Sequence, residues 1–190
     1  IQGVYAKYYA LSLTTLAGII LFARIFDAVT DPLVGFYSDR YYQRFGTRKP
    51  FMLVGGLLLI VSSYLLYVPQ SIGVAYFIGC FVIFYAAYTL FEIPHNAWGT
   101  ELATQSKDKS LIYTCRSVAN YMGLTLFYVV PLLPIFESNE ITPETLKLNV
   151  LVAGTLMILF LYFSLQMTPN TSAKPNKPGH ISKLEVNQPS

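Results

Sequence analysis

The sequence predicts an all-α membrane protein, and three observations carry that prediction: composition, the recurrence of long apolar runs, and the alternation of charge between them. Hydrophobic residues make up 54% of the 190 residues and charged residues only 12%, against about a quarter charged in ordinary soluble domains. A run of about 18 or more apolar residues with few charges is long enough to cross a bilayer as a helix. Several such runs follow one another here.

Complete spans are predicted at residues 16–37, 51–68, 74–97, 111–134 and 146–167. Residues 1–12 are expected to be the outer end of an earlier helix that begins upstream. The chain opens on Ile1, and its start lacks the basic, apolar, small-residue order of a signal peptide.

The connections alternate in sign. Residues 38–50 hold Arg40, Arg44, Arg48 and Lys49, and the connection before the fifth-helix run holds Lys107 and Lys109. The connection near Gln70 has no basic residue, and the one near Glu140 has Glu137, Glu140 and Glu144 against Lys147. Lys and Arg concentrate in short cytoplasmic loops, so the 38–50 loop and the tail are expected in the cytoplasm of a cell-membrane protein. Residues 168–190 carry Lys174, Lys177 and Lys183 among Pro, Asn and Ser, a composition that predicts a flexible linking segment.

Soluble enzyme chemistry has no visible home. The chain lacks HExxH, P-loop, GxGxxG and GxSxG motifs, and His95 and His180 have no ligand set around them. Cys80 and Cys115 fall within predicted spans at no metal-ligand spacing, so they are expected as small packing residues. Trp98 is expected to anchor the membrane interface, and Gly55 and Gly56 to permit close helix approach. No enzyme activity, no resident cofactor and no nucleic-acid partner are expected.

The informative residues are the charges inside apolar runs. An ionisable side chain near a bilayer centre costs about 2.5–3.5 kcal/mol on insertion scales, so it faces the protein interior, pairs, or serves transport. Arg24, Asp27 and Asp31 recur at i, i+3 and i+7, one stripe of a helix. Arg24 neutralises one carboxylate and leaves a surplus. Pro32 removes the hydrogen bond to the carbonyl of Ala28; with the Thr30 hydroxyl, these oxygens would suit a hard cation such as Na+. The bland alternative is a buried ion-pair lock between helices.

The next polar stripe repeats the device. Tyr85, Thr89, Glu92 and Asn96 share a face of the 74–97 run, and Tyr113, Arg116 and Asn120 share a face of the next. Carboxylate, guanidinium, amide and phenol on facing helices hydrogen-bond polyhydroxylated solutes, and the aromatics offer a face on which a sugar ring stacks. The alternative is a Glu92–Arg116 salt bridge with no ligand.

"ARIFDAVTDPLVGFYSDRYYQRFGTRKPFMLVGG", "YTLFEIPHNAWGTEL" and "YTCRSVANYMG" resemble, in order, the second, fourth and fifth helices of the glycoside, pentoside and hexuronide cation symporters of the major facilitator superfamily. The resemblance covers about residues 16–167 in one collinear register. It implies the N-terminal six-helix bundle of a twelve-helix carrier, with a truncated first helix and a C-terminal half to be supplied. By position it implies a cation site at Asp27, Asp31, Thr30 and Thr89, with Na+ on the two carboxylates in a sodium-coupled carrier and Li+ or H+ as alternatives.

It also places Glu92, Arg116, Asn96, Tyr113 and Asn120 where solute binds. Gly35, Asp39, Arg40, Gly46, Arg48 and Lys49 resemble a stretched form of the superfamily's loop motif, whose charge contacts hold one access state. Three positions depart from the melibiose permease pattern: Thr30 replaces an asparagine, Glu92 an aspartate, and Asn96 an aromatic residue. The expected activity is cation-coupled symport of a sugar or sugar-like solute across a lipid bilayer. A lysolipid or amphiphile carrier, and a non-transporting membrane scaffold or sensor, are the alternatives.

Overall fold

The computed structural model describes residues 2–70, 73–102, 105–136 and 139–167. Glu137 of the acidic connection and the tail 168–190 lie outside the described residues. Six α-helices follow in order: α1 Gln2–Tyr8, α2 Leu13–Phe45, α3 Lys49–Tyr67, α4 Val74–Leu102, α5 Ser106–Val129 and α6 Pro143–Met167, with a 3-10 turn at Val130–Leu132. Among the described residues there is no strand. The all-α bundle is as predicted.

Local chemistry sets the helix ends. Ser12 caps α2, its Oγ accepting from the Thr15 N–H at 3.1 Å. At the other end Gly46 adopts φ 69° and its N–H donates to the Tyr42 carbonyl at 2.7 Å, the left-handed stop that glycine takes without strain. Pro50 falls in the first turn of α3, where its missing N–H costs nothing. Thr142 Oγ1 accepts from the Thr145 N–H at 3.3 Å before α6.

Helix bounds differ from the predicted spans because hydropathy marks only the membrane-crossing part of a helix. Residues 38–45 are not loop: α2 runs on through them, and only Gly46–Arg48 separates it from α3. At 1.5 Å per residue, α2 is roughly 50 Å long, more than the ~30 Å hydrocarbon core, so its polar end projects beyond it. In the same way α4 extends to Leu102, and α5 begins at Ser106 rather than 111. It stops at Val129, two residues before Pro131, which cannot donate the next hydrogen bond.

Four of these helices are long and apolar enough to cross a membrane: α2, α3, α4 and α6. Helix α5 has the length but not the hydropathy, because Lys107, Asp108, Lys109 and its polar stripe dilute the apolar residues. Trp98 is buried rather than at a rim, and Cys115 is exposed while Cys80 is buried.

Glycines set the closest packing. A Cβ on Gly55 of α3 would lie 2.6 Å from the Phe91 nitrogen of α4, and one on Gly56 would lie 2.9 Å from Leu161 Cδ2 of α6. Thus α3 is wedged between α4 and α6, its backbone against that of α4. Tyr5, Leu16, Ile19, Ala23, Leu66, Phe77 and Phe81 form a buried cluster joining α1 to α4. Large apolar side chains such as Phe22, Ile25, Val29 and Phe36 line the outside of α2, as expected where the surroundings are lipid or further helices rather than water.

Candidate cation and solute site

Helices α2 and α4 pack together and bring their polar stripes into register. Thr89, buried on α4, donates its hydroxyl to Asp31 Oδ1 across the interface at 3.0 Å. One turn earlier on α2, Arg24 Nη1 lies 3.6 Å from Asp27 Oδ2, while its side chain is 66% exposed and its guanidinium sits 5.6 Å from the centre of the Tyr85 ring. Asp27 Oδ1 is buried and has no hydrogen-bond partner. Of the four residues expected to hold a cation, Asp27, Asp31 and Thr89 thus share one interhelix seam.

Thr30 behaves differently. Its hydroxyl donates back to the Phe26 carbonyl at 3.1 Å and the Asp27 carbonyl at 3.4 Å, the local bond that a threonine makes inside a helix. Its proton is spent on α2 itself. Pro32 is accommodated without ending the helix. Among the described residues no three His, Cys, Asp or Glu side chains gather at metal-binding spacing, so a hard cation here would draw its remaining ligands from hydroxyl and carbonyl oxygens.

Three residues beyond Thr89 on α4, Glu92 Oε1 accepts from Arg116 Nη2 of α5 at 2.6 Å. Neither side chain is fully enclosed, at 28% and 39% exposed. They open onto a cavity of about 460 Å3 lined by Tyr88, Glu92, Tyr113, Arg116, Ser117 and Asn120. Four of the five expected solute residues therefore come together. The fifth, Asn96, lines a smaller space of about 60 Å3 behind them, beside His95 and Lys109 and sharing Tyr113 and Arg116. Its Oδ1 is buried without a partner.

The basic end of the bundle holds the third group. Arg48 is buried, with Nη1 2.6 Å from Asp39 Oδ1 and 2.9 Å from Ser38 Oγ, Nη2 2.8 Å from Glu101 Oε1, and its guanidinium 4.7 Å from the centre of the Tyr42 ring. Burial alone would lower its pKa, but Glu101 and Asp39 raise it overall. Lys49 Nζ donates to the Leu165 carbonyl near the end of α6 at 2.9 Å. Gly46 is the helix stop, and Gly35 stands in ordinary contact with Ile93 of α4. Arg40 is exposed and joins none of these contacts.

The profile of the MFS/sugar transport protein family matches residues 3–188. The chain belongs to this family. Family relatives include the uncharacterized symporter YjmB of Bacillus subtilis, 29% identical over 133 residues, 65% of this chain and 29% of that protein. The sodium-dependent lysophosphatidylcholine symporter 1 of Gallus gallus is 27% identical over 133 residues, 65% of this chain and 25% of its own length. YagG of Escherichia coli, provisionally named a glycoside/cation symporter, is 26% identical over 116 residues, 59% of this chain and 25% of that protein. The chain thus spans well under half the length of these curated family relatives. No solved structure matches the chain.

Sequence reasoning missed three participants: Tyr88, Ser117 and Glu101. Tyr88 was legible as the residue four before Glu92, and Ser117 as the residue four after Tyr113. Glu101 pairs with a residue 53 positions away, and no local spacing announces such a contact.

Proposed function

We propose that this chain is part of a secondary transporter that couples entry of Na+, Li+ or H+ to movement of a sugar or sugar-like solute by alternating access. The observation that carries the proposal is the adjacency of two polar sites on α4. Thr89 grips Asp31 of the carboxylate pair, and Glu92, three residues on, grips Arg116 at the rim of the polar cavity.

In this scheme a cation neutralises the Asp27 and Asp31 charges at the α2–α4 seam. The seam tightens, Glu92 and Arg116 are presented to the solute, and only the empty or doubly loaded carrier reorients. A second six-helix half would enclose the solute from the other side, with binding near mid-membrane. The basic end around Arg48 and the tail 168–190 would face the cytoplasm, and the Arg48 contacts with Asp39 and Glu101 would hold one access state.

Coupling between two sites is a shared free energy and is reciprocal. The test is the affinity of the full-length protein for methyl glucoside and related glycosides with and without Na+, Li+ or a lowered pH. Tighter glycoside binding with one of these cations, lost in Asp31→Asn, is expected. Identical affinity under all conditions would sink the proposal. A lysolipid cargo is the second possibility, favoured by relatives named lysophosphatidylcholine symporters.

A further inference from the structure

We infer that the solute is a single-chain amphiphile, whose polar head sits at Glu92 and Arg116 and whose apolar chain lies in a groove between α3, α4 and α6. This rests on the assignment of Glu92 and Arg116 as the solute site and goes beyond it by naming the class of solute. Two cavities share one wall. The polar cavity ends on Tyr88, and Tyr88 is also part of the lining of a second cavity of about 290 Å3, with Ile60, Phe84, Phe127, Val150 and Met157 among its other walls.

Both flanking helices change character in the same direction. On α4 the face reads Glu92, Tyr88, Phe84 toward the start of the helix. On α5 it reads Tyr113, Arg116, Asn120 and then Phe127 toward the end. Those helices are antiparallel, so the gradient from charge to hydrocarbon runs the same way along both. A bare sugar would use only its polar end.

The polar groups in the second cavity are already satisfied. Asn149, buried, donates its amide to the Phe127 carbonyl at 3.3 Å, and the Ser63 hydroxyl donates to the Leu59 carbonyl at 2.6 Å. With no unspent donor on offer, this groove selects hydrocarbon. Tyr88, 42% exposed, sits at the junction with its ring beside the groove and its hydroxyl toward the polar side, the arrangement that suits an amphiphile.

The chemistry fits an alkyl glycoside or a one-chain lysophospholipid, and the experiment separates them. Binding to the full-length protein in nanodiscs is measured for methyl, butyl, hexyl and octyl glucosides and for lysophosphatidylcholines of increasing chain length, each below its micelle threshold. Affinity should rise by about fourfold per added methylene until the groove is full, in whichever series carries the right head. Ala153→Phe, which fills the groove from α6, should flatten that rise and leave binding of the shortest glycoside and its cation dependence intact. Gly154→Val gives the same readout if Ala153→Phe does not fold. A flat series that still depends on Arg116 overturns the amphiphile inference and leaves symport standing. A rise that survives both groove variants reports partition into the bilayer and also overturns it. Binding indifferent to Arg116→Gln in both series removes the site on which the inference rests.

Discussion

Arg48 and Arg24 are two arginines that face carboxylates from the same long helix α2, and their surroundings are opposite. Arg48 is 6% exposed, touches Asp39, Ser38 and Glu101, and lies over Tyr42. Arg24 is 66% exposed and has one pairing, at 3.6 Å. Each cluster leaves one buried carboxylate oxygen without a partner, Glu101 Oε2 and Asp27 Oδ1, so the contrast lies in the cation. A guanidinium saturated by its partners is a fastening between helices. One that barely engages leaves its carboxylates available to something else.

The largest effect should come from breaking the fastening. Arg48→Ala strands two carboxylates, one of them largely buried, and should lower stability by about 3 kcal/mol. Arg24→Ala should cost less than about 1 kcal/mol, as for other exposed pairs. Melting temperatures of the two variants in one detergent check this, and equal losses would erase the distinction.

Packing sharpens the same comparison. Gly55→Ala forces a Cβ to within 2.6 Å of the Phe91 backbone and should cost about 1–3 kcal/mol by prising α3 from α4. Gly18→Ala on α2 meets nothing within 4 Å and should be neutral or slightly stabilising, since alanine is the better helix former. The same melts read both.

At the solute cavity the two readouts should separate. Because Glu92 and Arg116 are both partly exposed, Glu92→Gln should cost at most about 1 kcal/mol of stability while removing solute binding. Calorimetric titration with glycoside, run beside a melt, tests that split. A variant that melts early and still binds would make the pair a strut.

The smallest effect lies at the acidic end. Lys7 pairs with Glu140, both exposed, and its hydrogen bond and charge hold the Glu140 carboxyl below the ordinary carboxylate range. A depressed carboxylate stabilises the fold above its unfolded pKa, and that contribution fades as pH falls through the depressed value. The difference in melting temperature between wild type and Lys7→Gln should therefore be small, present at neutral pH in low salt, absent in strongly acid solution, and screened by added salt.

Much of this was legible in the sequence where the governing interaction is local. The apolar runs of α2, α3, α4 and α6, and the stripes Arg24–Asp27–Asp31 and Tyr113–Arg116–Asn120, follow from a 3.6-residue period and the cost of burying charge. Helix ends were less legible, because outside hydrocarbon a polar helix such as residues 38–45 is as well hydrated as a loop. Thr30 was misjudged for a related reason: composition counts its hydroxyl as a ligand, while the helix offers it a nearer carbonyl. The pairing of Arg48 with Glu101 and the meeting of two cavities at Tyr88 are long-range contacts created by helix packing, and no spacing along the chain encodes them.

The central claim is that the loosely held carboxylates Asp27 and Asp31, joined to α4 through Thr89, take a cation. Its most direct test is the melting temperature of the full-length protein in NaCl, LiCl and KCl at matched ionic strength and at two pH values, for wild type, Asp27→Asn and Asp31→Asn. A cation at ten times its dissociation constant should add about 1.4 kcal/mol to the folded state. A shift with Na+, Li+ or H+ that is present in wild type and lost in both variants is the predicted result. Wild-type melting that is indifferent to all three cations would contradict it and leave these carboxylates as a structural pair.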